Sequence, residues 1–219
     1  MKSILLLNLF LTINYLSFSQ DVKREYIESF NRVDTSVLID FLETINSQGK
    51  LMTKQEALDY VYHGDSSRLY CIHEILNMET EKRSGITREF KLPRKYFFIE
   101  LKNCYLIASS SYLCKDLNKL AQVSLVLEVI SKNLILKDTL EIYRGNEYNY
   151  EFAGMINPIN GKVFITGFNK IVKRYARLLE LNQDELRFKI IREKNNADIS
   201  SENWKSEVEK LGWYDEFMK

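Results

Sequence analysis

The sequence predicts an α+β fold: N-terminal helices, a long antiparallel β-meander able to curl into a partial barrel, and a C-terminal helix. Apolar residues recur at helical spacing up to Tyr62, the period switches to two from Arg68 onward, and helical spacing returns after Ser201. The links between the period-two runs are too short to hold crossover helices, which favours antiparallel neighbours over a parallel sheet.

Residues 1–19 read as a cleaved export signal. Lys2 precedes the apolar stretch from Ile4 to Leu16, and Ser17-Phe18-Ser19 puts small residues at the positions a signal peptidase reads, so the mature chain is expected to begin at Gln20. The apolar stretch is shorter than the roughly 20 residues of a spanning helix and is broken by Asn8, Thr12 and Asn14. No integral membrane segment is expected after cleavage, and the expected location is secreted or periplasmic.

Residues 20–66 form a helical head. Tyr26, Ile27, Phe30 and Val33 fall on one face, with Asp21 placed to cap the start. Val37, Leu38, Phe41, Leu42 and Ile45 make a second stripe that ends near Gly49. Thr53-Lys54-Gln55-Glu56 matches the capping box, in which hydroxyl and carboxylate each satisfy a free backbone N–H, and it opens a short helix to about Tyr62.

Residues 67–194 are expected to be the meander. Runs rich in Tyr, Phe, Ile and Val predict strands near 68–78, 86–92, 95–101, 104–110, 121–131, 134–143, 148–156, 162–168, 171–181 and 185–193. Asn160-Gly161 has the composition of a type I′ hairpin turn, with Lys102-Asn103 and Asn182-Gln183 as weaker turns of the same kind.

Arg192 to Asp198 reads as a polar linker into residues 195–219. There Ser201 can cap a helix with Trp204, Val208 and Leu211 on one stripe, and Gly212 can end it. Trp213, Tyr214 and Phe217 so close to the end of the sequence are expected to dock on the sheet. Residues 162–194 carry nine Lys or Arg against four acids, and 195–219 carry six acids against three Lys, which predicts that the tail lies over the basic hairpin. The alternatives are an anion site and a strand edge guarded by cations.

Without its signal the chain carries 30 basic and 30 acidic residues, a balance that argues against a nucleic-acid partner. Cys71, Cys104 and Cys114 allow at most one internal disulfide. Cys104 with Cys114 is the preferred pair for its short separation, although an extended path between them would part the sulfurs. Two histidines and no C-x-x-C give no metal site, and no cofactor motif is present.

Gly64-Asp65-Ser66 resembles the nucleophile block of the GDSL hydrolases, but it follows a helix and the chain has no D-x-x-H block to supply a base, so the residues read better as a helix exit and turn. His73 shares a strand face with Cys71 while Glu74 points the other way, which is a packing histidine sooner than a triad. Glu79 with Glu81, and Glu147 with Glu151, are acidic pairs of a kind that chance supplies in a chain with 30 acids.

Tyr143, Tyr148 and Tyr150 are the candidate binding residues. Tyr148, Tyr150 and Phe152 project from one face as an aromatic row that suits sugar rings or a partner chain, although the core face of a half-buried strand is the favoured reading. No catalytic residue is assigned. The layout of export signal, helical head and Asn-Gly-containing meander resembles many small exported bacterial proteins of unknown function; the resemblance covers most of the chain and implies no activity or site residue. The expected function is an exported, non-catalytic binding or interaction module for a protein or glycan. The alternatives are a secreted hydrolase with a dispersed site and a structural accessory of a cell-envelope complex.

Overall fold

A computed structural model describes residues 20–33, 36–47, 49–77, 82–90, 92–113, 122–145, 150–169, 173–197 and 204–219; the side chains of 70–77, 82–90, 113, 150, 168, 169 and 173 are not among the described atoms. The expected export signal, Cys114, Glu79, Glu81, Glu147, Tyr148 and Ser201 therefore lie outside the described residues, as do the side chains of Cys71, His73, Glu74 and Tyr150.

The architecture is α+β, as the patterning predicts. Helix α1 spans residues 20–28. Short strands β1 (Asn31–Arg32) and β2 (Ile39–Asp40) follow, then α2 (Phe41–Asn46), β3 (Lys50–Leu51) and α3 (Lys54–Glu56), which runs on as a π-helix over Ala57–Val61 and is followed by a 3₁₀ turn at Ser66–Leu69. The meander comprises β4 (Tyr70–Asn77), β5 (Lys82–Phe90), β6 (Arg94–Glu100), β7 (Cys104–Leu113), β8 (Gln122–Ser131), β9 (Leu136–Gly145), β10 (Tyr150–Asn157), β11 (Lys162–Asn169), β12 (Lys173–Asn182) and β13 (Arg187–Asn195). Helices α4 (Trp204–Lys210) and α5 (Tyr214–Met218) end the chain.

Strands β6 to β13 pair antiparallel in sequence order, in one unclosed sheet extended by β1, β2 and β3, while β4 and β5 form a separate hairpin. The ten expected strands are all present.

Both faces of β6 and of the first half of β7 are covered, which is why these segments read as nearly continuous apolar runs, whereas β8 alternates buried with half-buried residues. Cys104, Leu106 and Ala108 of β7 and Leu125, Leu127 and Val129 of β8 point into the larger core, shared with Ile142, Tyr143, Ile156, Val163, Leu178, Trp204 and Phe217. Ile107, with Phe98 of β6, points the other way, into a second core built by Tyr26, Ile27 and Phe30 around α1 and by Met52, Ala57, Tyr62 and Leu69. The strand period of two thus assigns alternate residues of β7 to two cores.

Several local expectations need correction. Asp21 lies inside α1 instead of capping it, and the helix stops at residue 28, because Asn31–Arg32 pair in parallel with Phe97–Phe98. The second helix does not begin near Val37, which is 62% exposed. Ile39 and Asp40 pair with β10, and the Asp40 carboxylate accepts from Leu42 N (2.7 Å) and Glu43 N (3.3 Å), so capping starts the helix at Phe41. Asn160-Gly161 is not a two-residue type I′ turn. The chain reverses over residues 158–161, closed by Gly161 N donating to Asn157 O (2.8 Å), and Gly161 alone in this turn takes positive φ, +74°. Asn157 Oδ1 accepts from Ile159 N, a side-chain turn that competes with the shorter hairpin. Asn182 repeats the device: its Oδ1 accepts from Asp184 N and Glu185 N, and Leu186 N closes the turn on Asn182 O.

The tail docks. Phe217 is fully buried, Trp213 meets the Phe164 ring edge-on at 6.4 Å, and Gly212 exits α4 at φ +70°. Lys162 Nζ donates to Glu216 O (2.7 Å), and Arg192 pairs with the Glu216 carboxylate (2.8 Å), so the acidic tail does meet the basic strands. Among the described residues no helix is long and apolar enough to cross a membrane.

Candidate ligand-binding site

The capping box at Thr53 and Glu56 forms as predicted: Glu56 N donates to Thr53 Oγ1 (3.1 Å) and Thr53 N to Glu56 Oε2 (2.8 Å). The other oxygen of Glu56 accepts from Lys95 Nζ, whose side chain is 2% exposed. Lys95 also donates to Ser29 Oγ (2.6 Å) and lies 5.1 Å from the Tyr26 ring centre and 5.8 Å from that of Phe30. A single ammonium on β6 therefore ties the end of α1 and the start of α3 to the sheet. Burial pushes the Glu56 carboxyl up, but the hydrogen bonds from Lys95 and Thr53 outweigh it and hold the group below the usual range.

Past Glu56 the backbone widens into the π-helix, with Tyr62 N donating to Ala57 O (2.8 Å). Such a bulge re-aims side chains and recurs at functional sites. Here it lays Tyr60 flat on Tyr26, with ring centres 3.7 Å apart and planes 12° from parallel. His63 (φ +49°) and Gly64 (φ +86°) end the segment, and Asp65 Oδ1 accepts from Ser67 N (3.1 Å) and Ser67 Oγ (2.6 Å). Gly64-Asp65-Ser66 is thus a helix exit and turn.

Between this segment, α1 and the sheet lies a cavity of about 220 Å³, lined by Lys23, Tyr26, Ile27, Asp59, Tyr60, His63, Glu128, Ile130, Leu134 and Leu136. Its apolar wall comes from Ile27, Ile130, Leu134 and Leu136. Glu128 is its unusual member. It sits in mid-β8, paired in register with Ile107 on one side and Thr139 on the other, and it makes no hydrogen bond to any described residue. Burial pushes its carboxyl up to about 7. The Tyr26 hydroxyl is likewise buried with no partner, and burial, followed by the nearby Glu128 and Glu56, raises its pKa. The Tyr60 hydroxyl is raised by burial and then by Asp59 and Glu56. The cavity thus offers an apolar wall, two stacked tyrosines, a half-buried carboxyl that no described residue hydrogen-bonds and a buried hydroxyl without a partner, and an unsatisfied buried hydroxyl of this kind needs a reason.

The expected site residues lie elsewhere. Tyr143 is 5% exposed in the larger core and presents no surface to a ligand. Phe152 is half-buried against that core, with the Arg144 guanidinium 5.5 Å from its ring centre. Glu151 is exposed and pairs with Arg144 (3.3 Å). Cys104 is a free, buried thiol. Cys114, its expected partner, lies outside the described residues, and burial pushes the Cys104 thiol up to about 11. Among the described residues no group of three or more His, Cys, Asp or Glu could hold a metal.

Glu128 escaped the sequence reading although a signal existed. In Gln122–Ser131 it stands between Val126 and Ile130, two residues away on either side, so strand alternation puts an acid in an apolar row. Tyr26 was legible as a core residue of α1, but its unpaired hydroxyl was not. No family model, curated protein or solved structure matches the chain, which leaves the chemistry of this cavity as the guide to function.

Proposed function

We propose that the chain, exported and trimmed to begin at Gln20, is a non-catalytic binding module that holds a small organic molecule in the Glu128 cavity. The observation that carries this reading is the Glu128 carboxyl, half-buried and without a hydrogen bond to any described residue, together with the buried, unpartnered Tyr26 hydroxyl in a half-open and largely apolar cavity. Such groups are costly in an empty protein and become specificity determinants once a ligand satisfies them. A cavity of about 220 Å³ is smaller than drug-sized sites yet larger than one that accepts benzene. The fit is to a compact molecule sooner than to a glycan or peptide. The lining holds no serine, threonine or cysteine, which disfavours hydrolysis through an acyl-enzyme on a hydroxyl or thiol.

A ligand-observed NMR screen of benzene-sized fragments against the mature chain tests the reading. Binders should lose their signal changes with Ile130→Trp, which fills the cavity, and weaken with Tyr26→Phe, which removes the hydroxyl and keeps the volume. Fragments that bind both variants as they bind the parent chain, or no binder at all, would contradict it.

A further inference from the structure

We propose that the ligand of this cavity is a small primary amine, bound as its ammonium against the carboxylate of Glu128 with its organic part on Ile27, Ile130, Leu134 and Leu136. The inference rests on the binding reading above and names the ligand's class. Three features of the cavity converge on a cation. The Glu128 carboxyl has no partner among the described residues, so an arriving ammonium would supply the donors it lacks. The Tyr26 hydroxyl, buried and unpaired beside it, can accept one of the three ammonium hydrogens. The Tyr60 ring, which lines the cavity and stacks on Tyr26, adds a π surface of the kind that attracts cations.

The surrounding charges agree in sign. Glu128 and Asp59 line the space, and Glu56 lies near enough to act on both tyrosine hydroxyls. The cations that face it are Lys23, on the exposed side of α1, and Lys95, which lies over Tyr26 and is neutralised by Glu56. His63 completes the titratable lining. With Glu128 ionised the lining carries two carboxylates against one lysine, an arrangement that repels a carboxylate ligand and draws an amine.

Binding then has a proton balance that can be measured. Below neutrality the Glu128 carboxyl is largely protonated. The ammonium enters already charged, the carboxyl proton leaves to water, and the ion pair forms without any covalent step. Uptake of an amine therefore releases up to one proton per ligand at about pH 6, and fewer at about pH 8.5 where the carboxylate already exists.

The experiment uses three probes of one shape: 2-phenylethylamine, 2-phenylethanol and 3-phenylpropanoate. Titration calorimetry of the mature chain in two buffers of different ionisation enthalpy reads affinity and proton release together. The amine should bind about ten- to a hundredfold more tightly than the alcohol, the range for a hydrogen bond to a charged group, and the acid should bind most weakly. Glu128→Gln should erase the amine's advantage over the alcohol and its proton release. An alcohol or acid that binds as tightly as the amine would overturn the ligand class and leave the binding site standing. Failure of all three probes would overturn both.

Discussion

Replacing Glu128 by glutamine keeps the shape of the side chain and removes its titration, which isolates the cost of holding a carboxyl in the cavity. In the unfolded chain the group titrates near 4.5, and in the folded chain at about 7. Between those values the native state binds more protons than the unfolded state, so stability falls as pH rises. The contribution is fully present below the unfolded value and lost once pH has passed the folded one. A displacement of this size corresponds to about 3 kcal/mol, an upper figure because water entering the cavity screens the charge. Glu56 and Glu100, both held below their usual range, act with the opposite sign: their stabilisation is present above the ordinary carboxylate value and is lost in acid. They titrate alike in both chains and drop out of the comparison. Urea unfolding across a pH series should show the wild type losing up to about 3 kcal/mol relative to Glu128→Gln between about pH 4.5 and pH 8.5. Parallel stability curves for the two chains would refute the reasoning.

The Lys95–Glu56 pair should respond asymmetrically. Glu56→Ala strands an ammonium that is 2% exposed and should cost about 3–5 kcal/mol, whereas Lys95→Met leaves a carboxylate that is 27% exposed and still bonded to Thr53 N, at a cost nearer 1 kcal/mol. Equal losses in thermal or urea melts would contradict this. Gly154→Ala should abolish folding or cost more than about 4 kcal/mol, because the new Cβ would stand 1.8 Å from Phe164 O in the neighbouring strand; a soluble variant with an unchanged melting curve would count against the β10–β11 packing. Cys104 should resist iodoacetamide at about pH 8 in the folded chain and react once denatured, since its thiol is buried and titrates at about 11. Rapid labelling of the native protein at this position, mapped by mass spectrometry, would show the reverse.

Alternating and helical apolar spacing made most of the fold legible, because each strand from β4 to β13 must keep its apolar face in register and each link is short. The Thr53–Glu56 box was legible because both partners lie within four residues. Long-range competition was not. Ile39 and Asp40 fall inside a stretch of helical spacing, yet β10, at Met155 and Ile156 beyond its pairing with β9, recruits them as a strand. The turn at 158–161 follows from the side chain of Asn157, outside the Asn-Gly pair that drew attention. The aromatic row was conspicuous in composition; of it only Phe152 has a described side chain, half-buried against the core, and nearby Tyr143 is buried in that core. The site is visible chiefly as what its groups lack, a partner for Glu128 and one for the Tyr26 hydroxyl, and such a lack can be seen only when α1, the π-helix and β8 are brought together.

The central claim is that Glu128 faces a half-open, largely apolar cavity as a carboxyl that takes a cation, and its own titration tests that most directly. Carboxyl ¹³C NMR of the chain from Gln20 onward, selectively labelled at glutamate and assigned with Glu128→Gln, should place the group at about 7. Saturating 2-phenylethylamine should return it to the ordinary carboxylate range or below. A Glu128 that titrates near 4.5 in the free protein and does not respond to the amine would contradict the account.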